Sequence, residues 1–276
     1  FRIMSNLNGY DSEYKSGTHI VSKSLSYDEL MRVLTSNPSG IKVTIPEGYN
    51  LQQIAEKLAQ EKLVDKDKFL EVAENETFDF KFVNSITRDK NRLEGYLFPD
   101  TYEFDISTGE KEIIRRMLNN FDAKFPTSYY ARAEELGMTV DEIIILASII
   151  EKEAQDPDEM PRIASVFYNR LSGKYNIERK LESCATIQYI YYQQTGKIKQ
   201  VITEEDTKIV NPYNTYLYEG LPPGPISCPG EAAIKAALYP AETSYLYFVA
   251  KGDGTHYFSR TLAEHQAAMK RYGVSK

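Results

Sequence analysis

Glu151 sits where a helix should carry an apolar residue. Residues 139–154 (TVDEIIILASIIEKEA) have Thr139 as a candidate N-cap, with Glu142 three positions on completing a capping-box pattern. At about 100° per residue, Ile143, Ile144, Ala147, Ile150 and Ala154 share one face, and Glu151 falls within it at about +40° from Ala147. Lys152 and Glu153 are expected to point away. An acid held among apolar side chains loses solvation of its charged form, so its pKa rises and it stays protonated near neutral pH, as a general acid must. The competing reading makes Glu151 a core-edge residue paired with a cation such as Arg170. Glu94, Asp100, Glu103, Glu219 and Glu231 are further carboxylates of interest, each by itself ordinary for a surface or a cap.

A second chemical signal is the loop 211–230. Asn211-Pro212-Tyr213-Asn214-Thr215-Tyr216 and Leu221-Pro222-Pro223-Gly224-Pro225-Ile226 combine rigid turns, amides, hydroxyls and flat rings. Those are the parts of a carbohydrate site, in which rings cover sugar faces and Asn or Thr meets hydroxyl and acetamido groups. A structural Ω-loop packed by its own tyrosines fits the same composition. His256, in a hairpin, is a candidate for orienting substrate or a structural residue.

The elements that must position these groups are grouped rather than alternating. Residues 1–17 read as a flexible lead-in. A faint echo at an offset of 24 then relates a strand at 19–21 and the following helix to a strand at 43–45 and a helix starting after Asn50. Shared structure and two unrelated strand-turn-helix units both fit that echo. A short helix is expected at 67–73, and the polar run 87–92 suggests a boundary near 85, dividing the chain into 18–85 and 86–276. Residues 93–104 cannot form one helix because of Gly95 and Pro99. Helices are expected at 110–125, 127–137, 139–154, 160–172, 186–194, 231–238 and 262–271, with a hairpin of 245–250 and 256–258 around Gly252-Asp253-Gly254. Helix runs with few strands indicate an α+β fold.

Composition excludes several classes. The chain has 276 residues, 42% hydrophobic and 26% charged, enough apolar material for a full core. A net charge of −7 without a basic run argues against nucleic acid as a partner. The apolar stretch 143–150, interrupted only by Ser148, is far short of the roughly 20 residues of a membrane span. No glycine-rich phosphate loop or dinucleotide fingerprint is present, so no cofactor is expected. The three histidines give no metal-ligand pattern, so no metal is expected either. Cys184 and Cys228 are too few for a disulfide framework, and spacing leaves them bridged or free.

Five longer segments carry a family resemblance: LEGYLFPDTY (93–102), ASIIEKE (147–153), IASVFYNRL (163–171), the loop 211–225, and YLYFVA with GTHYFS (245–250, 254–259). Together and in this order they resemble the endolytic murein transglycosylases, the YceG-like cell-wall lyases. VTIPEGYNLQQIAEKL (43–58) resembles the small LysM-like module of that family. The resemblance implies an α+β protein in which a LysM-like module (18–85) precedes a helix-rich catalytic domain (86–276). Family members carry one N-terminal membrane helix, so the resemblance implies an ectodomain outside the cytoplasmic membrane, with an anchor before residue 1.

The family's catalytic acid maps onto Glu151, the residue singled out by periodicity. The implied reaction is endolytic cleavage of the β-1,4 bond between N-acetylmuramic acid and N-acetylglucosamine to give 1,6-anhydro ends, which would limit strand elongation. Partners implied are glycan strands and the peptidoglycan synthases. By position in the motifs, Glu94, Tyr96, Asn169, Arg170, Tyr213, Asn214, Thr215, Tyr216 and His256 are the candidate substrate-binding residues. Cysteines stand at 184 and 228 where the family commonly has Asp and Asn, and from that departure a Cys184–Cys228 disulfide is expected. Two other functions compete: a muramidase pairing Glu151 with a second carboxylate such as Glu94 or Glu219, and a non-catalytic wall-binding scaffold for synthases.

Overall fold

Four helices begin with the same device. Ser26, Asn50, Thr139 and Thr261 each accept the N–H three residues on, while Glu29, Gln53, Glu142 and Glu264 reach back to the cap residue's own N–H. The structure, a computed structural model, describes residues 1–37 and 40–274 and is α+β. In the first part, α1 (Arg2–Leu7) and α2 (Tyr27–Thr35) precede β1 (Ile41–Thr44), α3 (Leu51–Gln60), α4 (Lys66–Asn75) and the one-turn α5 (Lys81–Asn84). Then come β2 (Thr101–Phe104), α6 (Glu110–Lys124), α7 (Thr127–Glu135), α8 (Val140–Glu153) and α9 (Met160–Leu171). The chain ends with α10 (Cys184–Thr195), α11 (Glu231–Leu238), the hairpin β3 (Tyr247–Ala250) and β4 (His256–Ser259), and α12 (Leu262–Tyr272).

The helices expected from periodicity are present, with ends moved by a residue or two. Two expectations fail. Residues 19–21 form no strand: Ile20 is 79% and Val21 50% exposed, and a lone extended segment has no ladder to join. Of the echo at offset 24, the capped helices survive, α2 behind Ser26 and α3 behind Asn50, and the first strand does not. The lead-in is not wholly irregular, because α1 forms there and Tyr14 donates a hydrogen bond to Ser5 Oγ at 2.6 Å.

β1 pairs antiparallel with β2, Ile41 opposite Phe104 and Thr44 opposite Thr101, so a strand from before residue 85 is completed by one from beyond it. One apolar core likewise runs from Val43 and Ile54 through Phe82, Tyr96 and Phe121 to Ile144 and Ile234. α8 is its axis. Ile143 to Ile150 are all buried, with α11, α9, α10 and α7 packed around the helix. Truncating any of these isoleucines would cost about 2–5 kcal/mol, so the helix is fixed well enough to hold an acid at its end.

Candidate active site

Glu151 follows this buried stretch by one residue and is partly exposed at the last turn of α8. The loop before α11 is stitched along the same helix. Ile226 N–H donates to Ser148 Oγ at 3.0 Å, and Ser227 Oγ donates to the Ser148 carbonyl at 3.2 Å. That register delivers Gly230, the N-cap of α11, to Glu151, whose Oε2 accepts the Gly230 N–H at 3.0 Å. Gly95 permits the close approach of the loop: its φ is +91°, and a Cβ there would lie 2.6 Å from Pro225 and 2.8 Å from Ile144.

Burial raises the Glu151 pKa and the neighbouring Glu47 adds to the rise, while the Gly230 N–H and Lys152 oppose it. The turn carrying Glu47 is docked beside the acid. Gly48 N–H donates to the Cys228 carbonyl at 3.0 Å, Cys228 N–H returns to the Tyr49 carbonyl at 2.8 Å, and Lys152 Nζ donates to the Gly48 carbonyl at 3.3 Å. A partly exposed acid whose surroundings favour its protonated form, held by one backbone donor, has the attributes of a general acid that also accepts a proton later in a cycle. Arg170 does not pair with it.

Glu153 does not point into solvent as the wheel suggests. Two residues along a helix is a rotation of about 200°, and that opposite side is covered by the start of α10 and by the β3–β4 hairpin. Ser183 Oγ donates to Glu153 Oε1, burial raises the carboxyl pKa, and His256 acts against the rise. His256 itself is fixed by Glu159, whose Oε2 accepts the backbone N–H at 2.8 Å and lies 2.9 Å from Nδ1. Tyr216 Oη is 3.0 Å from Cys184 Sγ, close to the same group. Glu153, Ser183 and Glu47 were not singled out in the sequence. For Glu47 the signal was its place in a Pro-Glu-Gly turn, and for Glu153 a second acid two residues from the first.

The other candidates hold the fold. Glu94 is completely buried: Oε1 accepts the Leu51 N–H at 2.9 Å, Oε2 accepts the Tyr189 hydroxyl at 3.2 Å, and burial pushes its pKa up to about 7. Tyr96 is equally buried, stacked on Phe82 and donating to Asp141 Oδ1 at 2.7 Å. Asn214 donates to the carbonyls of Thr207 and Ile209, and Thr215 Oγ1 accepts the Ser183 N–H at 3.1 Å. Asn169 donates to the Thr243 and Tyr245 carbonyls at 2.9 Å each. Arg170 pairs with Glu182 at 2.8 Å and donates to the Lys180 carbonyl at 2.6 Å. Their polar atoms are committed inside the protein, which leaves the half-buried Tyr213 and Tyr216 and the exposed Tyr218 as the loop's accessible rings.

The expected disulfide is absent: Cys184 and Cys228 are free thiols. Cys184 is exposed and meets Tyr216, whereas Cys228 is buried, its sulfur receiving the Gly95 and Leu97 N–H groups.

Comparison with known proteins agrees with this architecture. The model of the YceG-like family matches residues 1–271. A Bacillus subtilis protein named endolytic murein transglycosylase is 36% identical over 278 residues, covering 96% of this chain and 75% of the relative. A Streptococcus pneumoniae protein of the same name is 33% identical over 294 residues, and the chain spans about half of its length, 52%. A crystal structure of a YceG-like protein from Listeria monocytogenes superposes with a TM-score of 0.71 at 33% identity, covering 96% of this chain and 88% of that one. Likeness over nearly the whole length, in sequence and in fold, means that this chain belongs to the YceG-like family.

Proposed function

We propose that this protein is an endolytic lytic transglycosylase of peptidoglycan, with Glu151 as its acid and base. The observation that carries the reading is the Glu151 carboxyl itself, accessible at the end of a buried helix, raised in pKa and seated on the Gly230 N–H. The names of the B. subtilis and S. pneumoniae relatives support the same reaction.

In this mechanism the protonated Glu151 gives its proton to the oxygen linking N-acetylmuramic acid to N-acetylglucosamine, and the bond from that oxygen to the muramyl C1 breaks. The muramyl C6 hydroxyl oxygen bonds to C1, and its proton passes to the Glu151 carboxylate. A 1,6-anhydro end results, the acid is regenerated and no water is consumed. An internal nucleophile takes the place of the second carboxylate that glycoside hydrolases require. Because the first step needs the neutral acid, activity is lost as pH rises through the raised Glu151 pKa. Residues 18–85 serve as a LysM-like module, and Tyr213, Tyr216 and His256 flank the glycan. Cleavage takes place on the outer face of the cytoplasmic membrane, to which an anchor preceding residue 1 tethers the protein. There it trims strands made by peptidoglycan synthases.

The test is mass spectrometry of fragments released from purified peptidoglycan by the wild type and by Glu151→Gln. Anhydromuramyl ends from the wild type alone are expected. Fragments carrying added water would identify a hydrolase, and no fragments from either protein would sink the catalytic reading.

A further inference from the structure

We propose that Glu47, on the turn between β1 and α3, is a positioning residue that shares the Gly230 corner with Glu151 and sets the pH range over which Glu151 donates its proton. The inference rests on the function proposed above and adds to the site a second carboxylate, contributed by the N-terminal part of the chain.

The geometry begins with the turn. Ile45 N–H donates to the Asp100 carbonyl at 2.9 Å, and the paired hydrogen bonds of Gly48 and Tyr49 with Cys228 fasten the other end. Gly48 has φ +75°, and a Cβ there would lie 3.6 Å from Glu151 Cγ, so the turn rests on the acid. Glu47 extends over Gly230, where a Cβ would come within 1.8 Å of its Oε1 and 2.2 Å of its Cδ. The Glu47 carboxylate therefore occupies the space a side chain at 230 would need. With Gly230 N–H on Glu151 Oε2 at 3.0 Å, backbone dimensions put the two carboxyl groups within about 7 Å of each other.

The charged groups facing Glu151 are few. Its own helix supplies Lys152, α11 supplies the Gly230 N–H and Glu231, and the turn supplies Glu47. Glu231 is turned to Lys124 at 3.0 Å. Among the described residues no cation forms an ion pair with Glu47, so its charge is left to act on Glu151. A nearby like charge disfavours ionisation. Glu47 is exposed, so water and salt screen the effect, which is modest and fades at high ionic strength.

The experiment is the pH dependence of kcat/KM for glycan cleavage by the wild type, Glu47→Gln and Glu47→Asp at low and high salt. In Glu47→Gln the alkaline limb moves to lower pH whatever the height of the plateau, and one pH unit above the wild-type midpoint the variant's rate, as a fraction of its own plateau, is about three-fold below the wild type's fraction at the same pH. Glu47→Asp restores the limb in part, and high salt narrows the difference. Gly230→Ala, which keeps both acids and displaces the Glu47 carboxylate, shifts the limb in the same direction and serves if Glu47→Gln fails to fold. A limb unmoved in Glu47→Gln and Gly230→Ala, with loss equal at every pH, would overturn the inference while leaving Glu151 as the acid. A wild type that releases no anhydro ends would instead overturn the function on which it rests.

Discussion

The Glu94 carboxylate accepts the backbone N–H of Leu51 at 2.9 Å, so an acid from the chain beyond residue 86 caps the first turn of α3, which lies before it. The helix N-terminus offers an unsatisfied donor and a partial positive charge there, and the Tyr189 hydroxyl supplies a second donor from α10. Burial still dominates and lifts the folded-state pKa from an ordinary value near 4.5 to about 7. Between those values the folded protein binds a proton that the unfolded chain has released. Stability attributable to Glu94 therefore falls as pH rises from about 4.5 to about 7, by roughly 3 kcal/mol, and is level above that. Glu94→Gln is expected to flatten this slope in denaturant unfolding followed from pH 5 to pH 8. An unchanged slope would show that Glu94 is already ionised in the fold at pH 5.

What the sequence revealed and what it hid follow from the range of the interactions. The caps at Asn50 and Thr139 are local, and they mark helix starts that the structure keeps. The misplaced acid at 151 was legible because a single helix face already encodes the conflict between a carboxyl and its apolar neighbours. Glu153 was illegible for the same reason: the periodicity of one helix does not say that a second surface, built by Ser183 and His256, closes over its polar side. The strand expected at 19–21 has the composition of a strand but lacks a partner, which only tertiary structure can supply or withhold. Glu47 meets Gly230 across some 180 positions of chain, a pairing that no window on the sequence contains.

Cys184 and Cys228 differ in access, and thiol chemistry can read that difference. Cys184 is exposed beside Tyr216, although partial burial of its sulfur raises the thiol pKa. Cys228 is wholly buried and more strongly raised. Intact-mass analysis without reductant is expected to show both thiols in the reduced form. A maleimide should add slowly to the native protein, faster as pH rises, with one equivalent incorporated and that one lost in Cys184→Ser. The second equivalent should require unfolding. A native mass lower by two hydrogens, with no labelling until reduction, would restore the bridge that family substitutions suggested.

Asn169 and Arg170 separate a fold-holding role from a substrate-binding one. Asn169 satisfies two carbonyls of the segment leading into β3, while Arg170 ties α9 to the Lys180 carbonyl, the Leu246 carbonyl and Glu182. Arg170 is itself buried, so removing it strands several polar groups at once. Asn169→Ala is expected to cost about 1–3 kcal/mol through its two abandoned acceptors, and Arg170→Ala more. In both, KM for glycan should stay near the wild-type value at temperatures where the protein is folded, with the loss appearing in the unfolding midpoint. A raised KM with an unchanged midpoint would return these residues to the substrate site, because a group that only braces the fold has no means of weakening sugar binding while leaving stability intact.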